Sequence, residues 1–243
     1  RQDWSLWVEA ATVDTPQYER CGASTVVFAG VEALVLYDDM EGTTTAWTTA
    51  MAAPYVPGYP DEGRWDRVDP MVAFATPGQD STPGTGRLCW VTDNRGSHSI
   101  PTIYADVDSE GDGVELTSPE LAVWPNTTVL VELSLWYVSH GGEPGDEECV
   151  VEWVTPGQQA VPLIGPLMPA HSVRVWRRLR AAVDTGSLSG GLPKVRIRFT
   201  DPPADSLVEG GVDDVRVSMI HFCRDCCDGD RVSRASPQRP QRV

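Results

Sequence analysis

Short stretches of alternating apolar and polar residues recur along this chain, and helical periodicity is hard to find for more than two turns, which commits it to strands. The clearest case is residues 194–199, where Val195, Ile197 and Phe199 share one parity and Lys194, Arg196 and Arg198 the other. Such a strand has one face in a core and three cations toward solvent. Residues 129–139 differ. There Val129, Val131, Leu133, Leu135 and Tyr137 alternate with Leu130, Glu132, Ser134, Trp136 and Val138, so both faces are nearly apolar. That pattern predicts a strand covered on both sides, central in its sheet. Further strands are expected over 25–28, 33–37, 72–75, 87–92, 150–155, 173–183 and 212–222. Glycines and prolines gather in the connections, at 54–63, 77–86, 141–145 and 156–169. The expected fold is all-β, a two-sheet antiparallel jelly-roll sandwich.

A chain of 243 residues with 41% hydrophobic content can bury a substantial core in one main domain. Residues 37–222 are expected to form the sandwich. Residues 1–36 read as the end of a preceding module or linker strands, and 223–243 as a cysteine-containing, disordered tail of Arg, Ser, Gln and Pro. The start at Arg1-Gln2-Asp3, with no Met and no hydrophobic leader, predicts a longer precursor. No apolar stretch approaches the roughly 18 residues that span a bilayer.

Nineteen Lys and Arg stand against 35 Asp and Glu, a formal net charge of -16. Such a surface repels phosphate backbones and anionic lipid, so nucleic acid and membrane are poor partners. Net charge alone is a solubility feature; it gains chemical meaning where carboxylates cluster beside glycine. Six cysteines, Cys21, Cys89, Cys149, Cys223, Cys226 and Cys227, permit pairing in fifteen ways. The run Cys223-Arg224-Asp225-Cys226-Cys227 resembles a small disulfide knot and favours an exported, oxidising setting.

The strongest clustering is Asp106-Val107-Asp108-Ser109-Glu110-Gly111-Asp112-Gly113, with oxygen ligands at alternating positions in a turn that glycine can bend. That chemistry suits calcium, a hard cation that takes six to eight oxygens. An EF-hand is disfavoured, because Thr117 stands where the bidentate Glu belongs and no amphipathic helices flank the loop. The rival reading is a solvated acidic turn without metal. For a cation to matter, Asp39 with Glu41, Asp106 with Asp108, and Asp213 with Asp214 must meet in space, since packed carboxylates repel unless protonated or bridged.

Several motifs occur in a fixed order. They are Asp38-Asp39-Met40-Glu41 followed by Trp47, then residues 63–70 and 80–94, Asp106-Val107-Asp108, Leu116-Thr117-Ser118-Pro119, and Val212-Asp213-Asp214-Val215. Over residues 37–222 this order resembles the MAM-like jelly-roll accessory modules that follow the catalytic domain in secreted bacterial metallopeptidases, both zinc carboxypeptidase and immune-inhibitor-A-like. The resemblance implies a non-catalytic module, secreted or at the cell surface, holding a structural calcium through Asp39, Glu41, Asp106, Asp108 and Asp214, with Asp213 a further member. It implies an upstream catalytic domain, or an extracellular protein or glycan, as partner. Met40 stands where that family usually has an aromatic, and residues 109–112 lengthen its tight turn.

Catalytic readings find less support. No His-Glu-x-x-His pair accompanies His98, His140, His171 and His221, and no nucleophile elbow, phosphate-cradling loop or dinucleotide fingerprint is present. His140-Gly141-Gly142-Glu143 echoes the start of a zinc carboxypeptidase site but lacks a third ligand on a rigid element. His221 with Cys223, Cys226 and Cys227 fits tetrahedral zinc poorly, because two of those cysteines are adjacent. A glycosidase has carboxylates enough, yet nothing marks an apolar pocket for its acid. Nine tryptophans leave a carbohydrate-binding module as the alternative. Trp136, Trp153 and Trp176 are expected in the core; Trp65 and Trp124 sit in loop-like contexts and are the candidates for an exposed sugar-stacking platform. Asn126-Thr127-Thr128 matches an N-glycosylation acceptor.

Overall fold

The computed structural model describes residues 30–43, 46–51, 65–71, 76–82, 86–92, 113–140, 148–167, 173–186, 188, 190–200 and 207–222. The larger of two compact units is Leu34–Met219; the other joins Arg1–Ala33 to Ile220–Val243. Eleven strands are described: β1 (Gly30–Asp38), β2 (Thr48–Met51), β3 (Trp65–Val68), β4 (Cys89–Thr92), β5 (Val114–Thr117), β6 (Thr128–His140), β7 (Glu148–Val154), β8 (Val161–Leu167), β9 (Val173–Asp184), β10 (Lys194–Thr200) and β11 (Leu207–Phe222). They form two antiparallel sheets, β3-β4-β11-β6-β9 with β1 also on β11, and β2-β5-β10-β7-β8. This is the all-β sandwich that the alternation predicts. β1 crosses the expected domain boundary at residue 37.

Parity explains the core. In β10, Val195, Ile197 and Phe199 are fully buried. In register with them lie Trp153, Val151 and Cys149 of β7, and Leu116 and Val114 of β5 opposite Ile197 and Phe199. From the other sheet Trp65 meets Phe199 edge-on at 5.2 Å and Tyr137 meets it at 5.8 Å. The opposite parity of β10 is less solvated than expected: Arg196 pairs with Glu115 at 3.0 Å and Glu152 at 2.8 Å, and Arg198 with Glu148 at 3.3 Å.

β6 is an inner strand buried on both faces, as its composition predicts. Tyr137 points between the sheets, and its neighbour Trp136 points the other way, into a second cluster with Cys89, Val91 and Val138, edged by Val68 and Trp176. Part of that outer cluster lies beneath residues 76–82, since Trp176 Nε1 donates to the Gln79 carbonyl at 2.8 Å.

Two expectations need correction. Residues 156–169 are not all loop, because β8 lies within them; it is the edge of its sheet, where Pro162 and Pro166 cost no ladder bonds inside the sheet. Trp65 is not on a loop. It opens β3 and is 4% exposed; four residues are too few for alternation to show. Of the six cysteines, whose pairing the sequence leaves open, Cys89 and Cys149 are free thiols in the core. Burial pushes both thiols well above their usual range. The expected strands at 25–28 and 72–75 and the other four cysteines lie outside the described residues.

Candidate functional site

The acidic opening segment leaves β1 at Asp38, whose carboxylate organises the turn. Asp38 Oδ1 accepts from the Met40 amide at 2.8 Å, and Oδ2 accepts from Trp47 Nε1 at 2.9 Å. Met40 is fully buried in a left-handed conformation, φ 60°. Residue 40 is therefore a packing position, and a flexible thioether fills it without a polar atom to satisfy. Asp39 Oδ1 accepts from the Glu41 amide at 3.2 Å. Glu41 reaches across the chain: its Oε1 accepts from the amides of Arg87 and Leu88 at 2.7 and 2.6 Å. Arg87 in turn grips Asp69 at 2.6 Å.

The closing segment sits mid-way along β11. Asp213 is fully buried and both its oxygens are engaged. Oδ2 accepts from the Ser81 amide at 2.9 Å, the Ser81 hydroxyl at 3.0 Å and the Thr82 hydroxyl at 3.2 Å; Oδ1 accepts from the Asp214 amide at 2.7 Å. Burial raises its pKa to about 6 even against those donors. Asp214 takes the left-handed conformation, φ 50°, accepts from Ser81 Oγ at 3.0 Å, and receives Arg178 Nη1 on its carbonyl at 2.9 Å.

Between these segments stands Asp80, which sequence reasoning passed over as part of a loop motif. Its Oδ2 is buried without a hydrogen-bond partner. Its carboxyl is raised by burial first and then by the negative charges of Glu41, Asp214 and Asp69. A Cβ on Gly86 would run into Asp80 Oδ2 and Thr82, so only glycine lets the two strands of this loop approach. Tyr37 is raised by burial and then by Asp214, Asp39 and Asp213, with Arg178 opposing.

The structure thus brings the early pair, Asp39 and Glu41, and the late pair, Asp213 and Asp214, into one electrostatic neighbourhood, with Asp80 and Asp69 as members the sequence reading missed. The signal was legible as an Asp-Ser-Thr run upstream of glycine, but the distance along the chain from Asp80 to Asp213 hid it. Asp106 and Asp108 lie outside the described residues. Among the described residues, no group of three or more His, Cys, Asp or Glu side chains has the geometry of a metal site. The side chains of all four histidines also fall outside.

Of the two platform candidates, Trp65 is buried and Trp124 is 59% exposed. The Trp124 backbone is held on three sides. Its amide donates to Met219 Sδ at 3.2 Å, and its carbonyl accepts from Thr127 Oγ1 at 2.7 Å and Thr185 Oγ1 at 2.9 Å. The expected core tryptophans Trp136 and Trp153 are buried, and Trp176 is half-buried.

No family model matches the chain, and no curated protein matches it. Among solved structures it is similar to the CBM22-1 xylan-binding domain of Paenibacillus barcinonensis Xyn10C, at 17% identity over 81% of this chain and 99% of that one, TM-score 0.47. It is also similar to a cleaved adhesin domain of Lys-gingipain from Porphyromonas gingivalis, at 18% identity over 77% of this chain and 98% of that one, TM-score 0.41. An apo cyclase from Fischerella sp. follows at 13% identity over 77% and 96%, TM-score 0.47. Likenesses this distant carry no argument about what the chain does.

Proposed function

We propose that this chain is a non-catalytic binding module, carried by a secreted or surface bacterial protein of the metallopeptidase kind that its motifs resemble, and stabilised by calcium at the acidic cluster. The observation that carries the calcium reading is Asp80 Oδ2, a carboxylate oxygen out of water with no donor and with the charges of Glu41 and Asp214 nearby. An anion so placed is costly unless protonated or matched by a cation. The donor set is all oxygen, which suits calcium over zinc. Asp39, Glu41, Asp80 and Asp214 do not by themselves form a metal-binding group, so a cation beside Asp80 would need further donors, and Asp106 and Asp108, outside the described residues, are the ones the resemblance supplies. Asp213 plays a different part: its oxygens are committed to hydrogen bonds, so it fastens the 80–82 segment to β11.

When bound, the cation supplies charge neutralisation that ties the turn after β1, the 80–82 segment and β11 together. Calcium is expected to raise the melting temperature and a chelator to reverse it, worth about 2.7 kcal/mol at a hundredfold excess over Kd. Asp80→Asn separates this from a purely structural role. It removes a repelled charge, so the calcium-free protein should melt no lower than wild type, while the response to calcium disappears. An Asp80→Asn variant that responds to calcium like wild type would sink the proposal.

A second reading, carbohydrate binding, is favoured by Trp124, an exposed indole on a backbone fixed by three hydrogen bonds. A rigid aromatic face stacks on a sugar ring at little entropic cost. Trp124→Ala is expected to leave the melting temperature within a degree or two and to abolish retention on an insoluble glycan matrix; a glycan panel blank for wild type removes this reading.

A further inference from the structure

Glu132 and Ser134 of β6 lie in register with Arg180 and Arg178 of β9, short of the irregularity between Leu135 and Tyr137. They share the parity of Trp136, so all four belong to the outer face of the six-stranded sheet. Arg180 Nε donates to Glu132 Oε1. Arg178 reaches across β6, and its Nη1 donates to the Asp214 carbonyl of β11 at 2.9 Å. From the other side Arg216 of β11 comes within 3.8 Å of Glu132 Oε2 and is committed within the fold.

On this face the acids are inside and the bases outside. Glu132, Asp213 and Asp214 are buried, and their oxygens meet Arg180, Arg216, Ser81 and Thr82. Arg178 and Arg180 are exposed, the latter over 48% of its side chain. Each spends one nitrogen on its inward partner and keeps the rest of its planar fork of N–H donors. A guanidinium already fixed at one nitrogen loses little further freedom on binding a ligand. Positions two apart on one face of a strand are about 7 Å apart, near enough for both forks to close on one anion.

A carboxylate fits such forks, because guanidinium donors meet its two oxygens in parallel. A polymer charged at every unit is disfavoured, since it meets the repulsion of a chain of net charge -16. A glycan whose carboxylates are separated by neutral sugars offers them one at a time. The same two strands lead to the turn that carries Trp124: Thr128 of β6 faces Asp184 of β9, and Thr185 Oγ1 donates to the Trp124 carbonyl at 2.9 Å. Asp184 is about 13 Å along the strand from Arg180. We propose that Arg178 and Arg180 form an anion subsite for the carboxylate of a uronic acid in a glycan bound over β6 and β9. This rests on the carbohydrate-binding reading and names the class of sugar it takes.

The test uses the full chain and a hyaluronan octasaccharide, in which carboxylate-bearing and neutral sugars alternate, beside the same octasaccharide with its carboxyls reduced to alcohols. Titration calorimetry is expected to show the acidic form binding about tenfold tighter or more. Arg178→Gln should remove that difference and leave the affinity for the reduced form unchanged. Arg178→Lys keeps the charge and loses the fork, so it should recover only part of the difference. Arg180 is left intact, because its loss would strand the buried Glu132 carboxylate. Equal binding of both forms by the wild type would overturn the proposal and leave the carbohydrate-binding reading standing. Binding of neither would also overturn it, with that reading then decided by the glycan panel and Trp124→Ala. A drop for both forms alike in Arg178→Gln would mean a structural role, and tighter binding of a peptide of alternating Glu and Gly would mark a protein-docking face; either result overturns the proposal.

Discussion

Asp213 shows how one buried carboxylate can be well hydrogen-bonded and still an electrostatic liability. Four hydrogen bonds from Ser81, Thr82 and the Asp214 amide favour its ionised form, yet burial outweighs them and leaves the pKa at about 6. An unfolded Asp releases its proton near pH 4. Between about pH 4 and 6 the folded chain therefore binds the extra proton, so stability from this group falls as pH rises through that window and levels off above it. Calcium-free melting temperatures measured across that range should fall with pH, and Asp213→Asn should flatten the slope although it lowers the plateau by confronting the Asp214 amide with a second donor. A wild-type slope of the opposite sign in this window, removed by the same substitution, would refute the assignment. Asp80 contributes in the same direction, raised by burial and by the carboxylates around it.

Segment 76–82 works as a strap across the outer face of the six-stranded sheet. It is secured by Trp176 on the Gln79 carbonyl and by Ser81 on both late aspartates. Cys89, fully buried in the outer cluster with Trp136, reports whether the strap is closed. Ser81→Ala deletes one hydroxyl that bridges two carboxylates, and the loss is expected to be about 1–3 kcal/mol. Local opening should accelerate modification of Cys89 by a thiol reagent, read by peptide mass mapping, while Cys149 of β7 keeps its wild-type rate. Equal acceleration at both thiols would mean global unfolding and no separate strap. Several elements were legible beforehand for plain reasons: β10 shows complete alternation, and the doubly apolar run of β6 matches its two covered faces. The four-residue strands β2, β3 and β5 were not, since so short a segment carries no measurable period. β8 was hidden by prolines that an edge tolerates.

Across the whole molecule, a net charge of -16 with an acidic cluster at one site implies self-repulsion in the folded state. Added sodium chloride should therefore raise the melting temperature of the calcium-free protein, and much less so once calcium is bound, because screening then has less repulsion left to relieve. A salt response equal in both states would place the repulsion elsewhere. Sequence by itself determined the class of fold, because parity along a strand is a local property that decides which face can be buried. The family resemblance grouped Asp39, Glu41, Asp106, Asp108, Asp213 and Asp214, of which Asp106 and Asp108 lie outside the described residues. Tertiary structure alone decided that Asp80 joins them, that Asp213 is a fastener, that Trp65 is core while Trp124 is exposed, and that Cys89 and Cys149 stay unpaired. Each of those facts depends on which residues distant along the chain share a few ångströms of space, and no local pattern of residues encodes that.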